Sequence, residues 1–337
     1  MKQRKGHRWI VVMLAVAGLL AGCSDDMPDT SAEANEIRFR ADVWRVMEGT
    51  RATTFNGGTL TSGSFTASAY NAGTTTAYFS PTTINWVTDK WVFSDGKYYW
   101  PSSGDLDFFA YMPATKPSYI SDITYAVSGS PATAHPFFIC SGLPMTYKNA
   151  YTDDKSVEHA EEGQGSSMQE FVYALTTGQN KADQGASGVT MSFKRPFARI
   201  NFKLSASHPD IIINSITLKG LKTGGTCTFD GSTSTWSSLT PADNTSDFVM
   251  SLYGDEASFS YDASAQTIGV PYLMVPQSFA GGIEVDATWK EWDEDIHRTV
   301  TATLPVVTWQ AGYSYTYTFT ITENDLKVST EKYTEQW

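Results

Sequence analysis

Residues 36–43 read Glu-Ile-Arg-Phe-Arg-Ala-Asp-Val, so charged and apolar side chains alternate along this stretch. A period of two is typical of a β-strand that buries one face against a core. The apolar positions, which would face that core, are Ile37, Phe39, Ala41 and Val43. We therefore predict that the fold begins with a half-buried strand at residues 37–43.

The same alternation recurs along the rest of the chain. It is strictest in residues 313–321, where Tyr, Phe and Ile alternate with Ser and Thr, and it is clear again in 198–204. No stretch after residue 22 keeps an apolar period of 3.6, so long amphipathic helices are not expected. The 337 residues, 41% of them hydrophobic, are enough for two cores. We predict an all-β chain with two antiparallel β-sandwich domains of the Greek-key type, residues 52–185 and 186–337.

A turn signal places one predicted hairpin. Asp95-Gly96 lies between two short apolar runs, and an Asp-Gly pair is favoured in the tight turns that join antiparallel strands. We therefore predict that Lys90–Phe93 pairs with Tyr98–Trp100.

Two further features refine the prediction. Pro271 lies inside the predicted strand 268–275, and proline lacks the N–H that a central strand must donate, so this strand is predicted to be an edge or bulged strand. Residues 144–185 are rich in glycine and acidic side chains and are predicted to form long loops around one short strand, 171–175. Loops on a β-scaffold commonly carry variable surface function.

The first 22 residues have the pattern of a bacterial export signal. A basic start precedes an apolar run, 9–20, that is too short to span a bilayer as a stable helix. The run ends in Leu20-Ala21-Gly22-Cys23, which resembles a lipobox, so Cys23 is predicted to become the lipidated first residue of the mature protein. The alternative is an ordinary secretory signal with an incidental cysteine. With Cys23 lipidated, residues 23–51 are predicted to form a tether that carries the first strand and is held to a membrane by several acyl chains.

Composition and motifs argue against two classes of function. The chain has 36 Asp and Glu against 24 Lys and Arg, a formal charge of −12, whereas nucleic-acid phosphates need a basic surface. The five histidines are scattered, and no HExxH, GxSxG, P-loop or GxGxxG pattern occurs. His135 and Cys140 are an odd number of positions apart on one predicted strand and would face opposite sides of it. We predict no nucleic-acid partner, no enzymatic activity and no cofactor.

Acidic and sulfur-containing side chains give no clear metal site. Acidic clusters at 153–154, 161–162 and 293–295 offer oxygen ligands for calcium but match no known loop spacing, so solvated loops are the simpler interpretation. Cys140 and Cys227 have no CxxC spacing and are interpreted as small buried hydrophobic residues.

Aromatic residues are abundant, with 10 Trp and 17 Tyr. Some of them could form a platform on which sugar rings stack, and the candidates are Trp86, Trp91, Tyr98, Tyr99, Trp100, Trp289 and Trp292. Aromatic residues on strands more often pack into a core or against a neighbouring strand. A monomeric surface lipoprotein that binds glycans is therefore the alternative hypothesis for the function.

A second candidate processing site follows the first strand. Residues 48–52 read Glu-Gly-Thr-Arg-Ala, which places Arg51 among small residues that a protease could reach. A cut between Arg51 and Ala52 would leave the first strand between a membrane anchor and a broken bond, so it could be removed from the fold that it completes. The alternative is a loop arginine that no protease meets.

The lipobox is followed, in order, by the motifs TRATTF, YYWP, LDFFAY, FKRPFARINFKL, YLMVPQ and WQAGYSY, which begin at residues 50, 98, 106, 193, 272 and 309. With the acidic Ser24-Asp25-Asp26, which is similar to an export signal of surface lipoproteins, this order resembles the fimbrillin (Mfa-like) family of Bacteroidetes over essentially the whole mature chain. Many relatives carry a histidine where Arg195 or Pro196 stands, a departure that bears on packing. The resemblance implies two transthyretin-like β-sandwich domains in a non-enzymatic, surface-exposed lipoprotein of the outer membrane that is assembled into fimbriae.

The resemblance also implies a mode of assembly. An arginine-directed protease would cut the bond between Arg51 and Ala52, and loss of the first strand would open a groove that a C-terminal strand of the neighbouring subunit fills. Such strand addition pairs exposed backbone groups and covers an apolar slot at once. The candidate donor is the tail, whose alternating positions are Leu326, Val328 and Thr330. The expected partners are other fimbrial subunits, and a host surface protein or glycan for adhesion. A tail folded on its own domain would instead indicate a tip or anchor subunit.

Overall fold

A computed structural model of the chain describes the following residues: 35–43, 58–59, 62–166, 168–184, 188–206, 211–242, 246–253, 258–259, 264–291, 297–305, 307–322 and 325–336. Nearly all regular structure in these ranges is β-strand, and the helix among them is four residues long. The all-β prediction is confirmed. Within the same ranges, no helix is long and apolar enough to cross a membrane.

The strands of the first part of the chain are, in order, β1 Phe39–Val43, β2 Gly58–Thr59, β3 Ser64–Asn71, β4 Ala77–Val87, β5 Lys90–Phe93, β6 Leu106–Met112, β7 Ile120–Thr124, β8 Val127–Ser128, β9 Thr133–Ala134, β10 Phe137–Cys140, β11 Thr146–Lys148, β12 Tyr151–Thr152, β13 Glu158–His159, β14 Glu162–Gly163 and β15 Val172–Gln179. The helix α1, Lys181–Gln184, follows. The remaining strands are β16 Val189–Phe193, β17 Ala198–Ala206, β18 Ile211–Leu221, β19 Gly224–Phe229, β20 Ser234–Thr240, β21 Ser246–Ser251, β22 Ser258–Phe259, β23 Gln266–Met274, β24 Ser278–Phe279, β25 Ile283–Glu291, β26 Arg298–Leu304, β27 Val307–Thr308, β28 Tyr313–Thr322 and β29 Asp325–Gln336.

The first core lies between two sheets. One has the strand order β15-β6-β3-β4-β5, and the other has the order β16-β1-β2. Their side chains share one buried cluster that is rich in aromatic rings, including Phe65, Trp91 and Phe108. Full burial of a large apolar side chain contributes about 1.5–3 kcal/mol to stability, so such a cluster is a substantial core. β1 and β16 form one wall of it.

The second core lies between a sheet with the order β23-β17-β28-β29 and a larger sheet with the order β14-β11-β21-β18-β25-β26, to which β22 adds on β18. β17 and β28 pair in parallel, and the register begins at Arg199 and Ser314. Phe202 of β17 lies 6.4 Å from Tyr317 and 5.7 Å from Phe319, measured between ring centroids. The strict alternation of these two strands reflects the burial of one face of each.

A third buried cluster connects the two halves of the chain. The sheet with the order β20-β19-β10-β7 pairs two strands of the first half with a hairpin of the second half. Its side chains share a cluster with Phe171, Tyr173 and Phe197. In the other direction, β11 of the first half pairs in parallel with β21 of the second sheet. The two halves therefore contribute strands to each other's sheets, in addition to meeting at a linker.

Core membership shows where the chain passes from the first core to the second. β16 lies beyond the predicted boundary between residues 185 and 186, yet it supplies Val189, Met191 and Phe193 to the first core. β17 begins at Ala198 and belongs to the second core. The passage from the first core to the second therefore lies in residues 194–197.

The hairpin predicted at Asp95-Gly96 is wrong. β5 pairs with β4, and the chain turns between them at Thr88, which has a φ of 60°. Residues 98–100 form no strand, because the segment before β1 occupies their backbone groups: Ile37 N–H donates to the carbonyl of Tyr98 at 2.8 Å. The Asp-Gly pair therefore leads into a segment that pairs with the N-terminal part of the fold.

The prediction for Pro271 is confirmed, since β23 is an edge strand. A glutamine side chain covers this edge. Leu273 N–H donates to Gln164 Oε1 at 2.8 Å, and Gln164 Nε2 donates to the carbonyl of Leu273 at 2.9 Å. Residues 144–185, predicted as loops, also contribute β11 and β14 to the second core's larger sheet. Strands of two or three residues are too short to show a period, so the sequence pattern could not predict them.

Candidate functional site

The backbone of β1 is paired along one side and only partly along the other. Its parallel register with β16 runs from Phe39 opposite Val189 to Val43 opposite Phe193. On the other side, the two residues of β2 pair with Asp42 and Val43. β1 is therefore held mainly by one ladder, and its departure would leave the N–H and C=O groups of β16 without those partners.

The inward face of β1 closes the first core. Ile37, Phe39 and Ala41 are 1%, 5% and 0% exposed, as the alternation predicts, while the side chain of Val43 lies outside the description. The ring of Phe39 lies 5.7 Å from Phe65, 5.5 Å from Phe93 and 5.7 Å from Phe108, between centroids. Edge-to-face contacts such as those with Phe65 and Phe108 add about 0.5–1.5 kcal/mol per pair to the gain from burial. Without β1, these three rings would line an apolar slot.

A buried glutamine holds the segment that enters β1. Gln184, in α1, accepts from the N–H of Arg38 at 2.7 Å and donates its Nε2 to the carbonyl of Glu36 at 3.0 Å. Its Oε1 also accepts from the indole N–H of Trp100 at 3.1 Å. Sequence reasoning missed Gln184, because one amide side chain in a polar stretch carries no pattern. Its hydrogen bonds add to the single bridge that pairs Glu36 with Tyr99 ahead of β1.

The ion pairs on β1 contribute little. Glu36 pairs with Lys97 at 3.2 Å, and Arg40 pairs with Asp42 at 3.3 Å, both on the exposed side. Exposed pairs of this kind typically contribute about 0–1 kcal/mol. Burial and backbone pairing therefore decide how firmly β1 is held.

Gly188 allows β16 to approach β1 closely. Its φ is +88°, and a Cβ built there would lie 2.6 Å from the carbonyl carbon and oxygen of Arg38 and 2.8 Å from the nitrogen of Phe39. The carbonyl of Arg38 accepts from the N–H of Val189 at 2.7 Å, so these atoms cannot move away without losing the first bond of the ladder. Glycine is the residue that suits both the backbone conformation and the spacing.

We expect Gly188→Ala to weaken the contacts between β1 and β16. Gly63 is the matched control, because its φ is +86° and nothing lies within 4 Å of a Cβ built on it. Both variants carry a backbone strain of about 1–3 kcal/mol. Only Gly188→Ala adds the steric conflict with β1, and we expect a further loss of about 1–3 kcal/mol in the free energy of unfolding, with faster hydrogen exchange in β1. Equal losses in the two variants would contradict the close approach.

The C-terminal candidate strand pairs with its own chain. β29 runs antiparallel to β28, with a register from Asp325 opposite Thr322 to Gln336 opposite Tyr313. Leu326 is 4% exposed and joins the second core, and Val328 packs against that core. Thr330 is half-buried. β29 is the last strand in its sheet, so its outer edge has no neighbouring strand among the described residues.

Several predicted site residues lie outside the described residues or away from β1. Cys23, Arg51 and Ala52 fall in the segments that are not described. Cys140 and Cys227 are buried in the sheet that joins the two halves. Burial raises the pKa of the Cys140 thiol to about 12, and it also raises the pKa of Cys227. Both therefore stay as protonated, unreactive thiols at neutral pH.

The acidic loop at Asp153 has a local structural role. Asp153 Oδ1 accepts from the N–H groups of Val157 and Lys155 at 2.8 and 3.0 Å, and its other oxygen lies 3.2 Å from His159 Nε2. The hydrogen bond from Val157 and the contact with His159 lower the pKa of Asp153. In the part of the chain that the structure describes, no three His, Cys, Asp or Glu residues form a group that could hold a metal ion.

Most of the candidate sugar-stacking residues belong to cores. Trp91, Trp100 and Trp289 are at most 5% exposed, and Trp86 and Tyr98 pack against the first core. Tyr99 is 40% exposed, and Trp292 lies outside the described residues. Among the described candidates, no aromatic row is presented to solvent. This arrangement favours the packing interpretation of the aromatic residues.

Comparison with known proteins agrees with this architecture. A family model described as fimbrillin-like matches residues 50–337. The chain is similar to a fimbrial protein from Bacteroides vulgatus ATCC 8482, with 17% identity, coverage of 90% of this chain and 99% of that chain, and a TM-score of 0.55. It is also similar to a candidate cell adhesion protein from Bacteroides uniformis ATCC 8492, with 15% identity, 88% and 98% coverage and a TM-score of 0.51. No curated protein matches the chain.

Proposed function

Because the chain belongs to the fimbrillin-like family, we propose that it is a structural subunit of a cell-surface fimbria that is assembled by protease-triggered strand exchange. The observation that supports the exchange is the way in which β1 is held in the fold. This strand is short, is held mainly by one ladder, and covers a slot lined by Phe65, Phe93 and Phe108. A foreign strand in that slot would recover both the ladder and the apolar contacts.

The position of Arg51 supports its role as the processing site. β1 ends at Val43 and β2 begins at Gly58, and the two pair with each other, so Arg51 lies in the connection between them. A cut at Arg51 leaves β1 with the N-terminal fragment and every later strand with the C-terminal fragment. Non-covalent contacts alone then hold β1, and a strand of another subunit can compete for its place.

The candidate donor is β29 of a neighbouring subunit. It spans 12 residues, more than the five of β16 that pair with β1. Its alternating residues Leu326, Val328 and Thr330 would enter the slot in place of Ile37 and its neighbours. β29 pairs with β28 of its own chain, which is the arrangement expected of a tip or anchor subunit. To act as a donor, β29 must first leave β28 and exchange that ladder for one with β16 of a neighbouring subunit.

The same proposal places the protein at the cell surface. Lipidated Cys23 anchors the precursor in the outer membrane, and the cut at Arg51 frees the subunit for the fimbria. Partners are other fimbrial subunits, and the surface loops contact a host surface protein or glycan during adhesion. The monomeric glycan-binding lipoprotein is less well supported, because the candidate stacking residues that the structure describes are mostly buried.

The variant Arg51→Ala tests processing and polymerisation together. We expect unmodified surface material to begin at Ala52 and to run as a ladder of bands in electrophoresis without boiling. Arg51→Ala is expected to remain acylated at Cys23 and to run as a single band. The matched control is Arg38→Ala, which removes an exposed arginine of the same N-terminal region and should leave the ladder intact. A ladder that persists in Arg51→Ala, with an uncut N-terminus, would contradict the proposal.

A further inference from the structure

A cavity of about 580 Å³ opens where the chain passes from the first core to the second. One side is formed by the linking residues Lys194 and Arg195, another by the β19–β20 hairpin with Trp236, and a third by the approach to β28 with Gln310 and Tyr313. Cavities that hold small ligands typically measure about 300–1,000 Å³. The cavity is therefore large enough for a ligand of one or two sugar rings.

The charge of the lining is opposite to that of the protein. The chain has 36 Asp and Glu against 24 Lys and Arg, yet none of the described residues that line the cavity is acidic. Two lining residues are basic. Arg195 pairs with the buried carboxylate of Glu170 at 2.6 Å, and Lys194 is the second cation. Because the guanidinium of Arg195 is already paired with Glu170, Lys194 is the charge that favours an anionic ligand in the cavity.

The lowered pKa of Lys194 is consistent with an anionic ligand in the cavity. Partial burial lowers the pKa of its ammonium group, because the cavity wall solvates the charge less well than water does. A carboxylate or sulfate in the cavity would stabilise the charged form through a charge-assisted hydrogen bond.

The walls also carry groups that suit a sugar. The indole of Trp236 is half-buried, and its N–H donates to the carbonyl of Pro196 at 2.8 Å, which fixes the ring. On the same hairpin, Asp230 holds the hydroxyl groups of Ser232 and Thr233 at 2.7 and 3.0 Å. Across the cavity, the hydroxyl groups of Ser278 and Thr308 lie 3.0 Å apart. A fixed aromatic ring beside several oriented hydroxyl groups matches the apolar faces and hydroxyl groups of a pyranose.

From this arrangement we propose that the cavity binds an acidic saccharide of one or two rings, with Lys194 contacting its carboxylate or sulfate and Trp236 lying against a ring face. The site is built from residues 194–195, 232–236, 239, 276–278 and 308–313 and uses no part of β1. It is therefore independent of strand exchange and is present in the subunit before and after processing. Each subunit of a polymer would present one such site.

Binding can be measured by titration followed through the indole N–H signals of the ¹⁵N-tryptophan-labelled protein, in which Trp236→Phe identifies the signal of Trp236. The probes are matched pairs: cellobiouronic acid against cellobiose, and N-acetylglucosamine 6-sulfate against N-acetylglucosamine. We expect at least one acidic sugar to shift the Trp236 signal and to bind at least about tenfold more tightly than its neutral partner, because a hydrogen bond to a charged group is the stronger kind. Inorganic sulfate is the third arm and is expected to bind more weakly than the sugar sulfate.

Two variants separate the site from the fold. Lys194→Gln is expected to remove the preference for the acidic sugar and to leave the weak binding of the neutral one, whereas Lys90→Gln, at an exposed lysine outside the cavity, should change neither. The proposal is overturned if acidic and neutral sugars bind alike, if Lys194→Gln keeps the preference, or if no probe moves the Trp236 signal. It is also overturned if inorganic sulfate binds as tightly as the sugar sulfate, because the site would then recognise an anion only.

Discussion

Replacing Phe39 by alanine is expected to lower the free energy of unfolding by about 3–5 kcal/mol, the range measured for large-to-small changes at buried phenylalanines. The ring is 5% exposed and contacts three other phenylalanine rings, so its removal leaves a cavity between β1 and the opposite sheet. The surrounding rings belong to a five-stranded sheet and cannot collapse far into the gap. The Phe39 side chain therefore contributes strongly to holding β1 in the fold.

Chemical denaturation of the purified mature chain measures this loss. Tyr253→Ala is the matched control, since it also removes an aromatic ring but from a residue that is 41% exposed. The control is expected to cost about 1 kcal/mol or less, as surface substitutions usually do. If Phe39→Ala costs no more than Tyr253→Ala, β1 does not complete the first core in solution.

Breaking the buried ion pair between Glu170 and Arg195 is expected to be equally costly. The two side chains lie 2.6 Å apart and are 5% and 2% exposed. Glu170→Ala leaves the guanidinium of Arg195 without its carboxylate in a place that water hardly reaches, and such losses cost about 3–5 kcal/mol. Because Arg195 lies in the passage between the cores and Glu170 precedes β15, the pair stabilises the junction of the two halves.

A double variant distinguishes charge from packing. Glu170→Leu combined with Arg195→Met removes both charges, and we expect it to recover most of the stability, since well-packed apolar residues can replace a buried pair at little cost. Glu162→Ala, in the exposed pair of Glu162 with Lys148 at 2.9 Å, is the surface control and should cost less than about 1 kcal/mol. A double variant as unstable as Glu170→Ala would show that shape, and not charge, decides the cost.

The alternation of apolar and polar side chains predicted those strands that bury one face against a core. β5 agrees with the predicted bounds to the residue, and β28 ends one residue later than predicted. β19 and β20 were missed, because Gly224-Gly225 opens the first and Ser and Thr dominate the second, so neither shows an apolar period. Patterns along the chain also say nothing about which distant strands pair. The exchange of strands between the halves and the parallel pairing of β1 with β16 therefore appear only in the structure.

The residues of the candidate site likewise fall into those that the sequence pattern predicts and those that it does not. The inward residues of β1 follow from their spacing, and the structure buries Ile37, Phe39 and Ala41. Gln184 and Gly188 could not be predicted, because each acts on the backbone of a strand about 150 positions earlier. Their roles depend on hydrogen bonds and a close approach that exist only once the chain is folded.

Displacement of β1 by a foreign strand is the most direct test of strand exchange. The mature chain, with a site for a specific protease inserted after Arg51, is cut and then mixed with a synthetic peptide of residues 325–336. Size-exclusion chromatography with mass spectrometry follows the fragment that contains β1, and a peptide with serine at the positions of Leu326 and Val328 is the control. We predict that the native peptide replaces the fragment and remains bound, whereas the control peptide does not. A fragment that stays bound at every peptide concentration would contradict strand exchange.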